Sequence, residues 1–264
     1  MGEILELIEE HKTILPGTRP PGTADEAAAA RHIRELFSKV AGRYDLLNHL
    51  LSMNVDRYWR WAVAREFRHM LGRPSARVLD LCCGTGDLSL ALARQGTAPV
   101  FASDFSHPML TLARKKIGGS KLAGHALAPV VAEADALQLP FADRTFDLVT
   151  CAFGFRNLAN YRAGLDEIWR VLRPGGEAGI LEFSAPGGAI APLYSFYFHR
   201  ILPAIGEWVT GVGGAYKYLA SSVDRFPGTE EFTGQMQAAR FRAVRVRKLT
   251  GGIALLYIAQ KPFP

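Results

Sequence analysis

The chain has 264 residues, 48% hydrophobic and 21% charged, and its 31 Lys and Arg against 25 Asp and Glu give a formal net charge of +6. That length and balance suit one large globular domain with a sizeable buried core. Its three cysteines, two of them adjacent, exclude a disulfide framework and point to a reducing compartment.

The first thirteen residues, MGEILELIEEHKT, are acidic and amphipathic, without the basic start and apolar core of a secretory signal. Residues 1–25 close on PGTRPPGTAD, a Pro/Gly-rich stretch that reads as a flexible extension. From Glu26 to about Met70 apolar residues recur at helical spacing, broken at Gly42, and predict a helical cap of two or three short helices over 26–70. The main domain, 26–264, then alternates strands and helices. ARVLDLCC (76–83) reads as a buried strand, GDLSLALARQG (86–96) as a helix and PVFASDF (99–105) as a second strand. A helix over 106–117 follows, with Ser106 at its start and Pro108 in its first turn.

APVVAEAD (128–135) and FDLVTCAF (146–153) read as strands three and four, NYRAGLDEIWRVL (160–172) as a helix stopped by Pro174 and two glycines, and EAGILEF (177–183) as strand five. Residues 189–227 form an apolar insertion read as helices, and RAVRVRKL and IALLYIAQ read as a final strand pair. The apolar run 189–214 is interrupted by Pro192, His199, Arg200, Pro203 and Glu207, so it is not expected to span a bilayer. The alternation predicts an α/β, Rossmann-like domain: a mainly parallel seven-stranded sheet with helices on both faces. Its ligand belongs at the carboxyl ends of the strands.

The turn LDLCCGTGDLS (79–89) ends the first strand, where that rule puts a ligand. No metal is expected there: Cys82 and Cys83 are adjacent and lack a Cys-x-x-Cys or His partner, and read as small buried residues. A dinucleotide would want a third glycine where Ser89 stands, and Asp80 and Asp87 surround the turn with charge that a pyrophosphate avoids. A cofactor with a cationic centre and an amino group is drawn to those carboxylates. S-adenosylmethionine has both, and a ribose for Asp104 at the end of the second strand, with Phe105 beside it. Gly84, Thr85 and Gly86 would form the cofactor turn. Asp135 and Ala136, just past the third strand, put a carboxylate within reach of an adenine amino group, and VLRPGG (171–176) is a helix-to-strand turn suited to such enzymes.

Three longer stretches are more specific: FSKVAGRYDLLNHLLSMNVDRYWRW (37–61), FGFRNLAN (153–160) and YSFYFHRILPAIGEWVTGVGGAYKYLASSVDRFP (194–227). Together they resemble the quinone-biosynthesis C-methyltransferase family, whose members methylate demethylmenaquinol and in some organisms a polyprenyl benzoquinol. The resemblance runs from about Leu36 to the C-terminus. It implies a class I methyltransferase fold, S-adenosylmethionine as methyl donor and a prenylated quinol as acceptor. It carries cofactor contacts onto Thr85, Asp104, Asp135 and Ala136. Ala152 stands where the family often has a serine, which leaves only a backbone contact at that position.

On the acceptor side the resemblance implies roles for Arg156, which would stabilise a phenolate or order a water, and Asn157, which would hydrogen-bond a quinol oxygen. The bland alternative for Arg156 is an ion pair that braces the loop. Tyr44, with Asp45 and Asn48, would close the cap over the substrate, and Tyr216 and His199 would reach in from the insertion; each has a packing explanation too. The insertion 189–227 reads as a lid over a prenyl tail that also touches the bilayer surface, or else as the interface of a homodimer. The expected location is cytoplasmic, peripheral on the inner face of the membrane. Alternatives are a methyltransferase for another small aromatic acceptor and a nicotinamide-dependent oxidoreductase. No nucleic-acid partner is expected, because no basic stripe with interleaved stacking aromatics accompanies the mild basicity.

Overall fold

The computed structural model describes residues 17–43, 45, 52, 54–122, 127–185, 200 and 215–264. Seven strands form one sheet in the order β3-β2-β1-β4-β5-β7-β6. They are β1 (Val78–Leu81), β2 (Val100–Asp104), β3 (Val130–Glu133), β4 (Phe146–Ala152), β5 (Leu172–Phe183), β6 (Arg242–Leu249) and β7 (Ala254–Gln260). The first five pair in parallel, and β7 joins β5 and β6 antiparallel. Strand order reverses direction between β1 and β4, which makes the gap at their carboxyl ends the switch point where such sheets bind ligands.

Before the sheet come α1 (Glu26–Val40), α2 (Val55–Glu66) and the one-turn α3 (Arg68–Leu71). The Asp25 carboxylate caps α1 by accepting from the Ala28 N–H. Within the sheet region lie α4 (Asp87–Ala93), α5 (His107–Gly118), α6 (Tyr161–Val171), α7 (Ala215–Arg225) and α8 (Thr229–Ala238). Ser106 occupies the position before α5 with Pro108 in the first turn, and the Asn160 side chain caps α6 through the Ala163 N–H.

Strand alternation decides which cap covers which face. Leu255, Tyr257 and Ala259 of β7 pack with Phe155, Ile168 and Phe232 on one face, while Ala254, Leu256 and Ile258 pack with Phe67, Leu71 and Leu92 on the other. Leu79 and Leu81 of β1 belong to the first cluster and Val78 to the second, so Asp80 points to the side covered by α2 and α4. That parity brings a carboxylate from a central strand to the base of the cap.

Two expectations about elements change. The helix over 160–172 runs straight into β5 without the separate turn that RPGG suggests. Leu172 is already extended and pairs with Phe146, and the register then shifts, with Glu177 opposite Leu148. The carbonyls left at the helix end, Trp169 O and Leu172 O, both accept from the Lys261 ammonium at 2.8 Å, so a side chain far along the chain caps what a glycine turn was expected to cap. Within the stretch read as flexible, Gly17 to Pro20 pack against the loop after β4: the Thr18 N–H donates to Leu158 O at 2.8 Å and Arg19 to Ala159 O at 2.8 Å. A Cβ on Gly17 would lie 2.2 Å from the Ala159 carbonyl carbon, so that approach requires glycine. Apart from Arg200 and the residues from 215 onward, the expected lid 189–227 lies outside the described residues.

Candidate active site

The turn after β1 is built on left-handed backbone. Cys82 (φ 54), Gly84 (φ 55) and Gly86 (φ 85) all have positive φ, which the glycines adopt without the Cβ clash that Cys82 must bear. Across the switch point Phe153, directly after β4, is also left-handed (φ 59), an outlier for a bulky side chain. Gly154 lets these two strand ends meet: a Cβ there would come within 2.4 Å of the Cys82 Cβ. Both turns that flank the gap thus carry a non-glycine residue in the left-handed region.

A cavity with about 700 Å³ of open space, partly continuous with solvent, lies against these turns. Of the residues singled out in the sequence, Gly84, Asp104, Phe105, Asp135, Ala136, Ala152 and Asn157 line it. Phe37 and Ala30 of α1 line it as well, so the helical cap forms part of its wall.

Asp104 is 7% exposed, and burial pushes its carboxyl above the usual range while the N–H groups of Ser106, Gly84 and Phe105 pull it back. Its Oδ2 accepts from the Gly84 N–H and its Oδ1 from the Ser106 N–H, each at 2.9 Å. A carboxylate oxygen accepts more than one hydrogen bond, so both oxygens retain capacity for a ligand with vicinal hydroxyls. Asp135 is exposed, and its Oδ1 accepts from the Leu137 N–H at 2.9 Å, which fixes its side chain at the cavity mouth. Ala136 beside it is 5% exposed.

Asp80 and Thr85 line an adjoining, more polar recess, with Ala152 shared between the two spaces. Asp80 is 1% exposed, and burial raises its carboxyl to about 7 against the hydroxyls of Ser89 and Thr150. Ser89, which breaks the dinucleotide pattern, donates to Asp80 Oδ2 at 2.5 Å. Gly86 sits at the start of α4 and packs on Ala113 of α5. The Thr85 hydroxyl donates to Asp45 of the cap and accepts from Lys116 of α5 at 2.9 Å. Lys116 also pairs with Asp45 at 2.6 Å and Asp87 at 2.7 Å, so one ammonium clasps the cap to the glycine turn. Neither Lys116 nor this clasp was legible as such in the sequence.

After β4 the picture departs from the expected one. Arg156 is 4% exposed and lines neither space. Its Nη1 pairs with Glu182 Oε2 at 2.8 Å and also donates to Phe153 O, its backbone N–H donates to Glu182 Oε1 at 3.0 Å, and its Nε donates to Ser222 Oγ at 3.3 Å. A buried guanidinium needs such partners, and Glu182 at the end of β5 supplies the charge. These contacts are those of the bracing alternative: Arg156 ties the loop to β5 and α7.

Asn157 does line the cavity. Its Oδ1 accepts from the Tyr218 hydroxyl at 3.0 Å, which orients the amide, and its Nδ2 lies 3.4 Å from Phe153 O. Among the described residues Tyr218, on α7, reaches this loop from the insertion. Tyr216 stands on the same helix, but its side chain lies outside the described residues, as do Tyr44, Asn48 and His199. Glu182 was hidden because EAGILEF reads as strand alone.

A seven-stranded sheet with an antiparallel final pair, a left-handed glycine turn after β1 and a buried acid ending β2 define a class I, S-adenosylmethionine-dependent methyltransferase. The fold is matched by a solved SAM-dependent methyltransferase from Aquifex aeolicus, with a TM-score of 0.54 at 20% identity, over 76% of this chain and 89% of that one. The sequence is 45% identical to the demethylmenaquinone methyltransferase of Deinococcus radiodurans, over 92% of this chain and 98% of the relative. It is 47% identical to a ubiquinone/menaquinone biosynthesis C-methyltransferase of Geobacter sulfurreducens, over 87% of this chain and 88% of the relative. The model of the ubiE/COQ5 methyltransferase family matches residues 25–261. The chain belongs to that family and is a methyltransferase of the C-methylating kind.

Proposed function

We propose that this enzyme methylates a ring carbon of a prenylated quinol, demethylmenaquinol in the first instance, as a step of menaquinone biosynthesis. The observation that carries the reading is the 45% identity, over 98% of its length, to a relative named for that reaction. A polyprenyl benzoquinol is the second acceptor, favoured by relatives whose printed names cover both quinones.

The residues present fit S-adenosylmethionine. The Asp104 carboxylate suits its ribose hydroxyls, Asp135 its adenine amino group, and the backbone at Ala136 and Ala152 the adenine face and edge. When bound, the cofactor supplies a methyl group on a sulfonium sulfur. The protein must hold the acceptor carbon in line with that methyl and raise its nucleophilicity. A free phenol titrates near pH ~10, and its phenolate carries charge to the ortho carbon.

Asn157 is the residue placed for this task. With its Oδ1 accepting from Tyr218 and one N–H of its Nδ2 donating to Phe153 O, the second Nδ2 hydrogen is left for the quinol oxygen, and such a donor favours the phenolate as the proton leaves to water. Arg156 acts one layer below as a positioning residue, holding the loop that presents Asn157. Phe37, Phe153 and Leu158 provide an apolar wall for the ring.

A prenylated acceptor resides in the bilayer, and we extend the proposal to peripheral contact with the inner membrane face. Among the described residues no helix is long and apolar enough to cross a membrane. Instead α2 exposes Tyr58 (47%) and Trp61 (42%), stacked with ring centroids 5.9 Å apart, beside exposed Arg57, Arg65 and Arg68. Aromatic rings with arginines on one stripe suit an anionic interface. Flotation with vesicles containing phosphatidylglycerol should carry the protein, and Trp61→Ala with Tyr58→Ala should reduce it.

The acceptor is tested with label in the methyl group of S-adenosylmethionine and reduced short-tail demethylmenaquinol or the corresponding benzoquinol. Label on the naphthoquinol ring supports the menaquinone reading, and label on both supports a dual enzyme. Transfer to neither, with cofactor binding intact, refutes the acceptor.

A further inference from the structure

Asn157, Leu158 and Ala159 of the loop after β4 line the cavity. The carbonyl oxygens of Leu158 and Ala159 are taken by residues that precede α1. The Thr18 N–H donates to Leu158 O and Arg19 Nη1 to Ala159 O, each at 2.8 Å. The family match begins at residue 25, so both donors come from ahead of it. Thr18 is nonetheless 2% exposed, as buried as a core residue.

This segment is stiff. Pro20 and Pro21 fix two consecutive φ angles. Pro21 followed by Gly22 (φ 82) is the type II turn pattern, closed by the Thr23 N–H onto Pro20 O at 3.2 Å. The turn delivers the chain to Asp25, which caps α1. Arg19 joins three parts of the cavity's surroundings. Its guanidinium holds the loop through Ala159 O, and its own carbonyl accepts from Arg225 of α7 at 2.6 Å. Its Nη2 pairs at 3.4 Å with Glu26 in the first turn of α1, and Glu26 Oε1 also accepts from Asn160 Nδ2 at 3.1 Å. The Glu26 pair is partly exposed and contributes little by itself, so the bonds to the carbonyls do the holding. The Thr18 hydroxyl also lies 3.5 Å from the Tyr218 oxygen, whose one hydrogen goes to Asn157 Oδ1.

We propose that Gly17–Arg19 is a strap that positions Asn157 for the acceptor, so that methyl transfer depends on residues ahead of the family's matched span. The proposal rests on the quinol reading and deepens it. The strap residues act through the loop and touch no reacting atom. Because the cofactor carboxylates Asp104 and Asp135 stand at the ends of β2 and β3, on the far side of the gap from the loop, loosening the strap separates turnover from cofactor affinity.

The competing account is that the strap adds stability alone. Two substitutions in the full chain decide between them. Gly17→Ala sets a Cβ 2.2 Å from the Ala159 carbonyl carbon and forces the strap off the loop. Arg19→Met removes the donor to Ala159 O, and Arg19→Lys keeps a donor that can reach it. The kcat and KM for reduced short-tail demethylmenaquinol, the affinity for S-adenosylhomocysteine by calorimetry, and hydrogen exchange of peptides covering 153–160 and 82–86 are measured on each. Gly17→Ala and Arg19→Met should lower kcat by about tenfold or more, the cost of misplacing a group at the reacting atoms, with cofactor affinity within about threefold of wild type. Exchange should quicken over 153–160 and stay unchanged over 82–86, and Arg19→Lys should recover most of the lost kcat. Should Gly17→Ala fail to fold, the Arg19→Met and Arg19→Lys pair makes the same comparison. Unchanged kcat, unchanged exchange over 153–160, or a parallel loss of kcat and cofactor affinity overturns the proposal. Wild type that binds S-adenosylhomocysteine yet methylates neither quinol removes the acceptor reading instead, and the proposal falls with it.

Discussion

The end of β2 and the loop after β4 handle buried charge in opposite ways. Asp104 and Arg156 are almost equally buried, at 7% and 4% exposed. Asp104 is held by backbone N–H groups, dipoles that hold the carboxylate in place without neutralising it, and it faces the cavity. Arg156 is neutralised by Glu182 and faces the protein interior. A charge fixed by dipoles remains available to a ligand, whereas a charge fixed by a full counter-ion serves the scaffold. At the end of β2 the buried charge therefore stays available to a ligand. On the acceptor side the loop's charge is spent on rigidity, and a neutral amide, Asn157, is presented instead.

The largest effect expected from breaking this contrast is on stability. Arg156→Ala and Glu182→Ala should each destabilise by about 3–5 kcal/mol in urea unfolding, because each leaves its partner buried and uncompensated. The double substitution should cost much less than the sum. Unchanged stability in either single variant would mean that the pair does not brace the loop.

Asp80 gives the next effect, with a defined sign. Its carboxyl is raised from 3.8 to about 7 by burial, against the Ser89 and Thr150 hydroxyls and the charge of Arg60, with Asp104 reinforcing the rise. A carboxyl raised on folding adds stability in full below its unfolded value near 4 and loses it as pH rises through about 7. Asp80→Asn removes that titration. In the ligand-free protein its stability relative to wild type should therefore rise by about 2–3 kcal/mol between pH 5 and pH 8. A difference that stays flat with pH would show that Asp80 is already ionised across that range.

Asp104→Ala should weaken S-adenosylhomocysteine binding by about 1.5–3 kcal/mol, the range for hydrogen bonds to a charged group, as read by calorimetry. Unaltered affinity would take Asp104 out of the site. The smallest effect sharpens the acceptor side: Tyr218→Phe should lower kcat by about tenfold or less while leaving cofactor affinity unchanged, since it frees the Asn157 amide to rotate. An unchanged kcat in Tyr218→Phe would show that the Asn157 contact is not what matters.

Several residues that line the cavity were legible in the chain because local chemistry dictates their place. Gly84 and Gly86 stand where the backbone must turn left-handed, Asp104 follows an apolar strand directly, and Ser89 excludes the third glycine of a dinucleotide turn. Spacing along one segment carries that information. The rest depends on partners far apart in sequence. Arg156 could be read as a catalytic cation or as a brace until the β4–β5 pairing put Glu182 beside it, and no spacing in the chain announced that the Tyr218 hydroxyl would meet Asn157.

By itself, then, the amino-acid order determined the strand–helix alternation, the glycine turn and the acid that follows β2, since each follows from the period and φ demands of a short stretch. Which charges are neutralised, which remain exposed to a ligand, and where the cap locks onto the turn were decided only by the tertiary structure. Burial and ion pairing depend on contacts between segments that the chain brings together only when the sheet closes.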